Sequence, residues 1–213
     1  MTWSTTGHGL LDVEQRCRTR AAAVPESRTP VGVQGDGRGV VDAATQWALR
    51  ARGGDRAAAA GFVRATQADV RRFVAALVDG DSADDLSQET YLRAFRALPA
   101  YAGRSSARTW LLGIARRVCA DHIRAVVRRR RLDARLAAEA TTHAPDPAAL
   151  LAAGELLRRL PVDRRSAFVL TQVLGLSYAE AAQAEQVPVG TIRSRLARAR
   201  MQLVEATRAA RTG

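Results

Sequence analysis

The residues best suited to chemistry in this chain lie between positions 176 and 206, and that chemistry is the reading of DNA. Ile192, Leu196, Ala199 and Leu203 recur at three- and four-residue steps, which marks the buried stripe of a helix. Arg193, Ser194, Ala197, Arg198 and Met201 then fall on the opposite face. Cationic and short polar side chains projecting from one helix face are what a major groove requires of a recognition helix. Upstream, Ser177 and Glu180 have capping-box spacing, so a first helix starts there. Ala181 and Ala182 are small enough for a second helix to pack closely. Gln186 to Pro188 interrupt the pattern, and Pro188 suits the start of a new helix better than its interior. The plainer alternative is a basic amphipathic helix that merely faces water. The capped first helix, the proline turn and the short outward Ser194 weigh against it.

A second constellation lies in residues 101–124. The loop with Gly103, Arg104, Ser105 and Ser106 precedes a helix carrying Arg108, Trp110, Arg116, Arg117 and Arg124. Flexible backbone, rings and guanidinium groups together suit a single DNA strand, with phosphates on the arginines and an extruded base against the loop. Trp110, on an otherwise apolar helix face, is more often a core residue, and Tyr101 in the loop is the better base contact. The four arginines at 128–131 either end a helix in solvent or meet phosphates or an acidic channel.

The third feature has the opposite sign. Asp79, Asp81, Asp84, Asp85 and Glu89 fall within eleven residues that contain no basic side chain. DNA would repel such a patch, so a basic protein surface is one reading. Acids stabilising the first turn of a helix are the other.

The bulk properties agree with a polyanion as partner. Net charge is +12, and every one of the 33 basic residues is arginine. Residues 104–131 hold nine arginines and one acid, and residues 189–213 hold six and one. Those segments contribute +8 and +5, so the remainder of the 213 residues is nearly neutral. Charge gathered in two separate patches implies two contacts rather than general solubilisation. Cys17 and Cys119 are far apart with no ligand spacing around them, which argues against a zinc site or disulfide framework and fits a reducing cytoplasmic setting. No metal or cofactor is expected. No apolar run approaches a membrane span, and the first residues lack a secretory pattern. His8, His122 and His143 are scattered, and no catalytic constellation is visible.

Several helices must position these groups. Residues 1–40 show no durable periodicity and read as a disordered tail, or as the product of an upstream start codon. Helical pattern begins near Val41 and runs through Phe62, Val70, Phe73 and Leu77, with Gly80 ending that helix. Ser82 with Asp85 reads as a capping box opening the next helix, whose apolar positions are Leu86, Tyr91, Leu92, Phe95 and Leu98 before Pro99. Trp110, Leu111, Ile114, Ala115, Val118, Ile123 and Val126 define another. Residues 128–147 read as a linker. Pattern resumes with Leu150 to Leu160, then restarts at Pro161 and Asp163. The expectation is an all-α protein: a helical domain at 41–127, a flexible linker at 128–147, and a second helical domain with a helix-turn-helix at 148–213.

At this level the chain resembles a known family. Asp84-Asp85-Leu86-Ser87-Gln88-Glu89-Thr90, Ser105-Ser106-Ala107-Arg108-Thr109-Trp110-Leu111-Leu112-Gly113-Ile114-Ala115-Arg116 and Asp121-His122-Ile123-Arg124 are similar to region 2 of bacterial sigma factors. Leu174-Gly175-Leu176-Ser177-Tyr178 and the run from Pro188 to Arg200 are similar to region 4. The likeness covers about residues 41–208 and is that of the extracytoplasmic-function group, nearest the actinobacterial sigma factor C branch. It implies that Asp84, Asp85, Gln88 and Glu89 dock on the largest subunit of core RNA polymerase, which favours a partner for the acidic patch. It implies that Tyr101, Arg104, Ser105, Ser106, Arg108, Trp110, Arg116, Arg117 and Arg124 serve the −10 promoter element. Thr191, Arg193, Ser194 and Arg198 would read the −35 element, with Arg195 and Arg200 on phosphate. The linker would thread through the polymerase toward its RNA exit path. An anti-sigma factor is a further possible partner.

The expected function is therefore a promoter-specificity subunit and not an enzyme. A stand-alone dimeric regulator with a helix-turn-helix is the alternative, but it needs a dimer interface or a phosphoacceptor sheet that the sequence does not display. A scaffold working through the acidic helix would leave the arginine helix unexplained.

Overall fold

The computed structural model describes residues 42–136 and 152–212, and all their regular structure is helical. The expected tail at 1–40 and most of the expected linker lie outside the described residues. In chain order the helices are α1 (Ala43–Arg52), α2 (Arg56–Leu77), α3 (Gly80–Ala97), α4 (Ala107–Leu136), α5 (Ala152–Arg158), α6 (Val162–Phe168), α7 (Tyr178–Glu185) and α8 (Val189–Thr212). A 3-10 turn at Leu98–Ala100 follows α3, and a π-helical turn at Val169–Val173 continues α6.

Local chemistry accounts for many boundaries. Asp42 caps α1, accepting from the Thr45 amide at 2.9 Å, and Asp55 caps α2 through the Ala58 amide at 2.9 Å. The expected box at Ser82 and Asp85 does not form. Helix α3 starts earlier, after Asp79, and the Ser82 amide bonds the Asp79 carbonyl inside the first turn. The box at Ser177 and Glu180 does form, with the Ser177 amide donating to Glu180 at 2.8 Å. Helix α4 continues through the four arginines to Leu136, so the first part of the expected linker is helical.

Helices α1 to α4 pack as one body around Phe62, Val70, Phe73, Leu111, Leu112 and Val118, all essentially removed from solvent. Each such side chain contributes on the order of 1.5–3 kcal/mol from apolar burial. Thr45 ties the body together, because its hydroxyl accepts from the Ala107 amide at the start of α4 at 2.8 Å. Helices α5 to α8 enclose Val169, Leu170, Ile192 and Leu196. The two bodies also pack against each other, α4 on α7 and α2 on α6. Gly113 of α4 makes that approach possible, since a Cβ there would lie 3.2 Å from the Ala184 carbonyl oxygen of α7.

Candidate nucleic-acid interface

Helices α7 and α8 form the expected helix-turn-helix. The turn between them is made by Gln186, whose φ of 56° is left-handed, with its amide donating to the Ala182 and Gln183 carbonyls. Pro188 immediately precedes α8. On α8, Ile192, Leu196 and Ala199 are buried while Arg193, Ser194, Ala197 and Arg198 are exposed, as the periodicity requires. Arg193 and Arg198 have no ion-pair partner among the described residues. Thr191 is half-buried at the first turn, where its carbonyl accepts from the Ser194 hydroxyl at 3.0 Å.

Arg195 and Arg200 differ from these. Arg195 bonds Glu185 at 2.9 Å and Asp163 at 3.2 Å, and Arg200 bonds the Gln172 side chain at 3.3 Å. The Glu185 side chain is fully buried and also accepts from the Ser166 hydroxyl. Arg116 reaches the same carboxylate from α4 at 2.6 Å. One buried acid thus carries two arginines, one from each helical body. A buried carboxylate needs such pairing, because an uncompensated one is strongly destabilising.

The second constellation is mostly engaged. Tyr101 is buried, its hydroxyl donates to the Ser105 carbonyl at 2.6 Å, and burial pushes its pKa above the usual tyrosine value. Trp110 is half-buried with its ring 4.8 Å from that of Tyr101. Ser106 caps α4, accepting from the Thr109 amide at 3.1 Å. Arg108 bonds Asp69 at 2.6 Å and the Leu174 carbonyl at 2.7 Å. Arg104 and Arg117 are exposed and carry no ion-pair partner among the described residues. Arg124 is exposed but bonds Asp121 at 2.6 Å. Arg93 donates to that same Asp121, and hydrogen bonds from Arg93 and then Arg124 hold its carboxyl below the usual range. Among the described residues no cluster of three or more His, Cys, Asp or Glu could hold a metal ion. Cys119 is buried, which pushes its thiol up to about 12. No described helix is long and apolar enough to cross a membrane.

The acidic residues sit at the exposed start of α3. Asp85 and Gln88 are exposed, Asp84 pairs with Arg71 at 3.1 Å, and Glu89 with Arg93 at 2.7 Å. Leu92 and Phe95 correct the sequence reading of the core. They are exposed, whereas Ala83, Thr90 and Ala94 supply the buried stripe of α3. At positions 85, 88, 92 and 95 the two apolar residues continue the face of Asp85 and Gln88. The available signal was a stripe of small residues at 83, 90 and 94 that left both large ones on the other side.

Comparison with known proteins decides the family. Residues 62–131 match the model described as Sigma-70 region 2, and residues 150–203 match Sigma-70, region 4. The "ECF RNA polymerase sigma factor SigC" of Mycobacterium tuberculosis (strain CDC 1551 / Oshkosh) is 51% identical over 167 residues, 76% of this chain and 90% of that protein. This chain belongs to the extracytoplasmic-function sigma factors. The "ECF RNA polymerase sigma-E factor" of Escherichia coli K12 is 34% identical over 71% of this chain and 87% of its own length. Among solved structures, the sigma factor RpoE of Bartonella quintana, in complex with the anti-sigma factor NepR, aligns with a TM-score of 0.54 at 27% identity. It covers 68% of this chain and 94% of that one. CnrH in complex with the cytosolic domain of CnrY shares the fold, with a TM-score of 0.61 at 22% identity over 79% of this chain and 99% of that one.

In sigma-factor terms, region 2 spans most of α2 to α4 and region 4 spans α5 to the greater part of α8. The packing of α4 on α7 is a region 2 to region 4 contact. It is held by Arg116 on Glu185, by Arg108 on the Leu174 carbonyl, and by the side-chain-free surface at Gly113.

Proposed function

We propose that this sigma factor binds core RNA polymerase through α3, reads the −35 element with α8, and captures the opened −10 strand at the start of α4. The observation that carries the reading is the exposed, unpaired pair Arg193 and Arg198 on the outer face of a capped helix-turn-helix. Thr191, Ser194 and Arg198 serve the base edges with Arg193, and the Arg195 guanidinium braces the motif from within. Arg104 and Arg117 offer phosphate contacts at once. Arg116 is released from Glu185, and Arg108 from the Leu174 carbonyl, when region 4 leaves α4, while Tyr101 and Trp110 pack on each other within the first body. Binding energy rather than covalent chemistry drives strand opening, so the protein is not an enzyme, and it works in the cytoplasm where polymerase and promoter are.

The docking face joins Asp84, Asp85, Gln88 and Glu89 to the exposed Leu92 and Phe95. An apolar centre with a charged rim is the usual anatomy of a protein interface. The likeness to a sigma factor solved with its anti-sigma factor supports an anti-sigma partner for this chain as well.

The test is binding of the purified chain to core RNA polymerase, followed by transcription from a library of upstream sequences. Saturable binding with selective initiation is expected. Reversing both Asp84 and Asp85 to arginine abolishes binding and leaves the circular dichroism spectrum unchanged. Unaltered binding by that variant would remove α3 as the docking face.

A further inference from the structure

Helix α1 takes no part in the promoter contacts above, and its residues precede the 62–131 that match region 2. Residues 42, 45, 49 and 52 are three, four and three positions apart, so one face of the helix carries them all. That face meets both ends of the loop that leads into α4. At the far end, the Thr45 hydroxyl accepts from the Ala107 amide at 2.8 Å. This amide is one of the helix-start donors that lack an intrahelical acceptor, and Ala107 is fully buried, so the bond matters more than an exposed one. The same hydroxyl donates to Asp42 Oδ2 at 2.7 Å, and Asp42 Oδ1 accepts from the Thr45 amide at 2.9 Å. At the near end, the Arg52 guanidinium donates to the Tyr101 carbonyl at 3.1 Å. Between the two, Gly103 turns the loop at a φ of 69° beside Leu49, whose Cδ2 would lie 3.9 Å from an added Cβ.

Inside the loop, the Tyr101 hydroxyl crosses to the Ser105 carbonyl at 2.6 Å. Ala102, Gly103 and Arg104 are left exposed at the tip. A separated strand can reach that tip, while the bonds that shape it come from beneath. A loop already held in its bound shape captures a base without a further ordering cost, and small misplacements cost much of the selectivity. We propose that Thr45 is a positioning residue for the −10 element, with α1 as the mount that holds the capturing loop in its binding shape. The position needs one oxygen that accepts from Ala107 and donates to Asp42, which serine can supply and valine cannot. The inference rests on the promoter-binding reading above and names what sets the geometry of its −10 site.

Thr45→Val keeps the shape of the side chain and removes that oxygen. Thr66→Val is the control: it deletes another buried hydroxyl of the same body, bonded at 2.8 Å to the Phe62 carbonyl on α2 and at 2.8 Å to the Tyr91 hydroxyl on α3. Each variant is assembled with core RNA polymerase. Fluorescence anisotropy then measures binding to a forked duplex with an open −10 strand, in the sequence the wild type prefers and in its single-base variants. Thr45→Val lowers the preference for the correct −10 base by about two- to tenfold, the worth of one hydrogen bond. Thr45→Ser restores the wild-type preference and Thr66→Val keeps it, while core affinity and affinity for a −35 duplex are unchanged in all three. An unaltered −10 preference in Thr45→Val would overturn the proposal, because the loop would hold its shape without α1. Equal losses from Thr45→Val and Thr66→Val would overturn it too, by reducing Thr45 to general stability. Wild-type holoenzyme with no sequence preference would instead defeat the promoter reading, which is a separate readout.

Discussion

The two surfaces proposed to meet DNA in this sigma factor are built alike in sequence and differ in readiness. On α8 of region 4, Arg193 and Arg198 project freely while the buried stripe beneath them holds the helix. At the start of α4 in region 2, Tyr101 is buried, Ser106 is spent as a cap, and Arg108 and Arg116 are bound to acids or carbonyls. The difference arises because α4 packs on two sides, against α2 and α3 within its own region and against α7 of the other. Arg108 and Arg116 lie toward those neighbours and are satisfied internally, as Arg195 and Arg200 are on α8, whereas Arg117 is exposed on α4.

The sharpest way to break this contrast is at Glu185. Glu185→Gln leaves Arg116 and Arg195 facing a buried neutral group, and the expected loss is about 3 kcal/mol in chemical denaturation. Fluorophores on regions 2 and 4 should move apart at the same time. Unchanged stability and distance would mean that the carboxylate does not join the two bodies.

Next in size is the contrast within α8. Arg198→Ala should cost about 1–3 kcal/mol on the cognate −35 element and relax selectivity at one base pair. Arg195→Ala should lower the melting temperature and weaken all sequences alike. An interchange of the two phenotypes would show that Arg195 leaves Glu185 to read DNA.

Gly113→Ala acts on the seam alone. Alanine raises the stability of isolated region 2 by about 0.5–1 kcal/mol, because glycine is a poor helix former. In the full chain that gain should vanish as the new Cβ meets the Ala184 carbonyl. The same gain in both contexts would show that the close approach carries no weight.

The smallest effect concerns the turn that aims α8. Gln186→Gly relieves a left-handed backbone at a non-glycine residue, and about 0.5–1 kcal/mol of added stability is expected. DNA selectivity should be retained, as measured with the same −35 duplex.

Much of this was legible beforehand, residue by residue. The capping box at Ser177 and the stripe of Ile192, Leu196 and Ala199 placed the helix-turn-helix, because helix periodicity and capping are local properties. Leu92 and Phe95 were misplaced into the core, since an apolar residue does not announce which neighbour covers it. The box at Ser82 lost to a start at Asp79. Arg128 to Arg131 were placed in a linker, yet arginine is a good helix former and α4 simply continues.

What the sequence alone determined was the helical class and the outward face of α8, both set by spacing along the chain, and the family, which its motif runs carried by resemblance. Tertiary structure decided which arginines remain free. Arg116 and Glu185 are 69 positions apart, and their pairing follows from the docking of α4 on α7, which no local pattern encodes. A guanidinium is a DNA contact or an internal brace according to the acid that folding brings beside it.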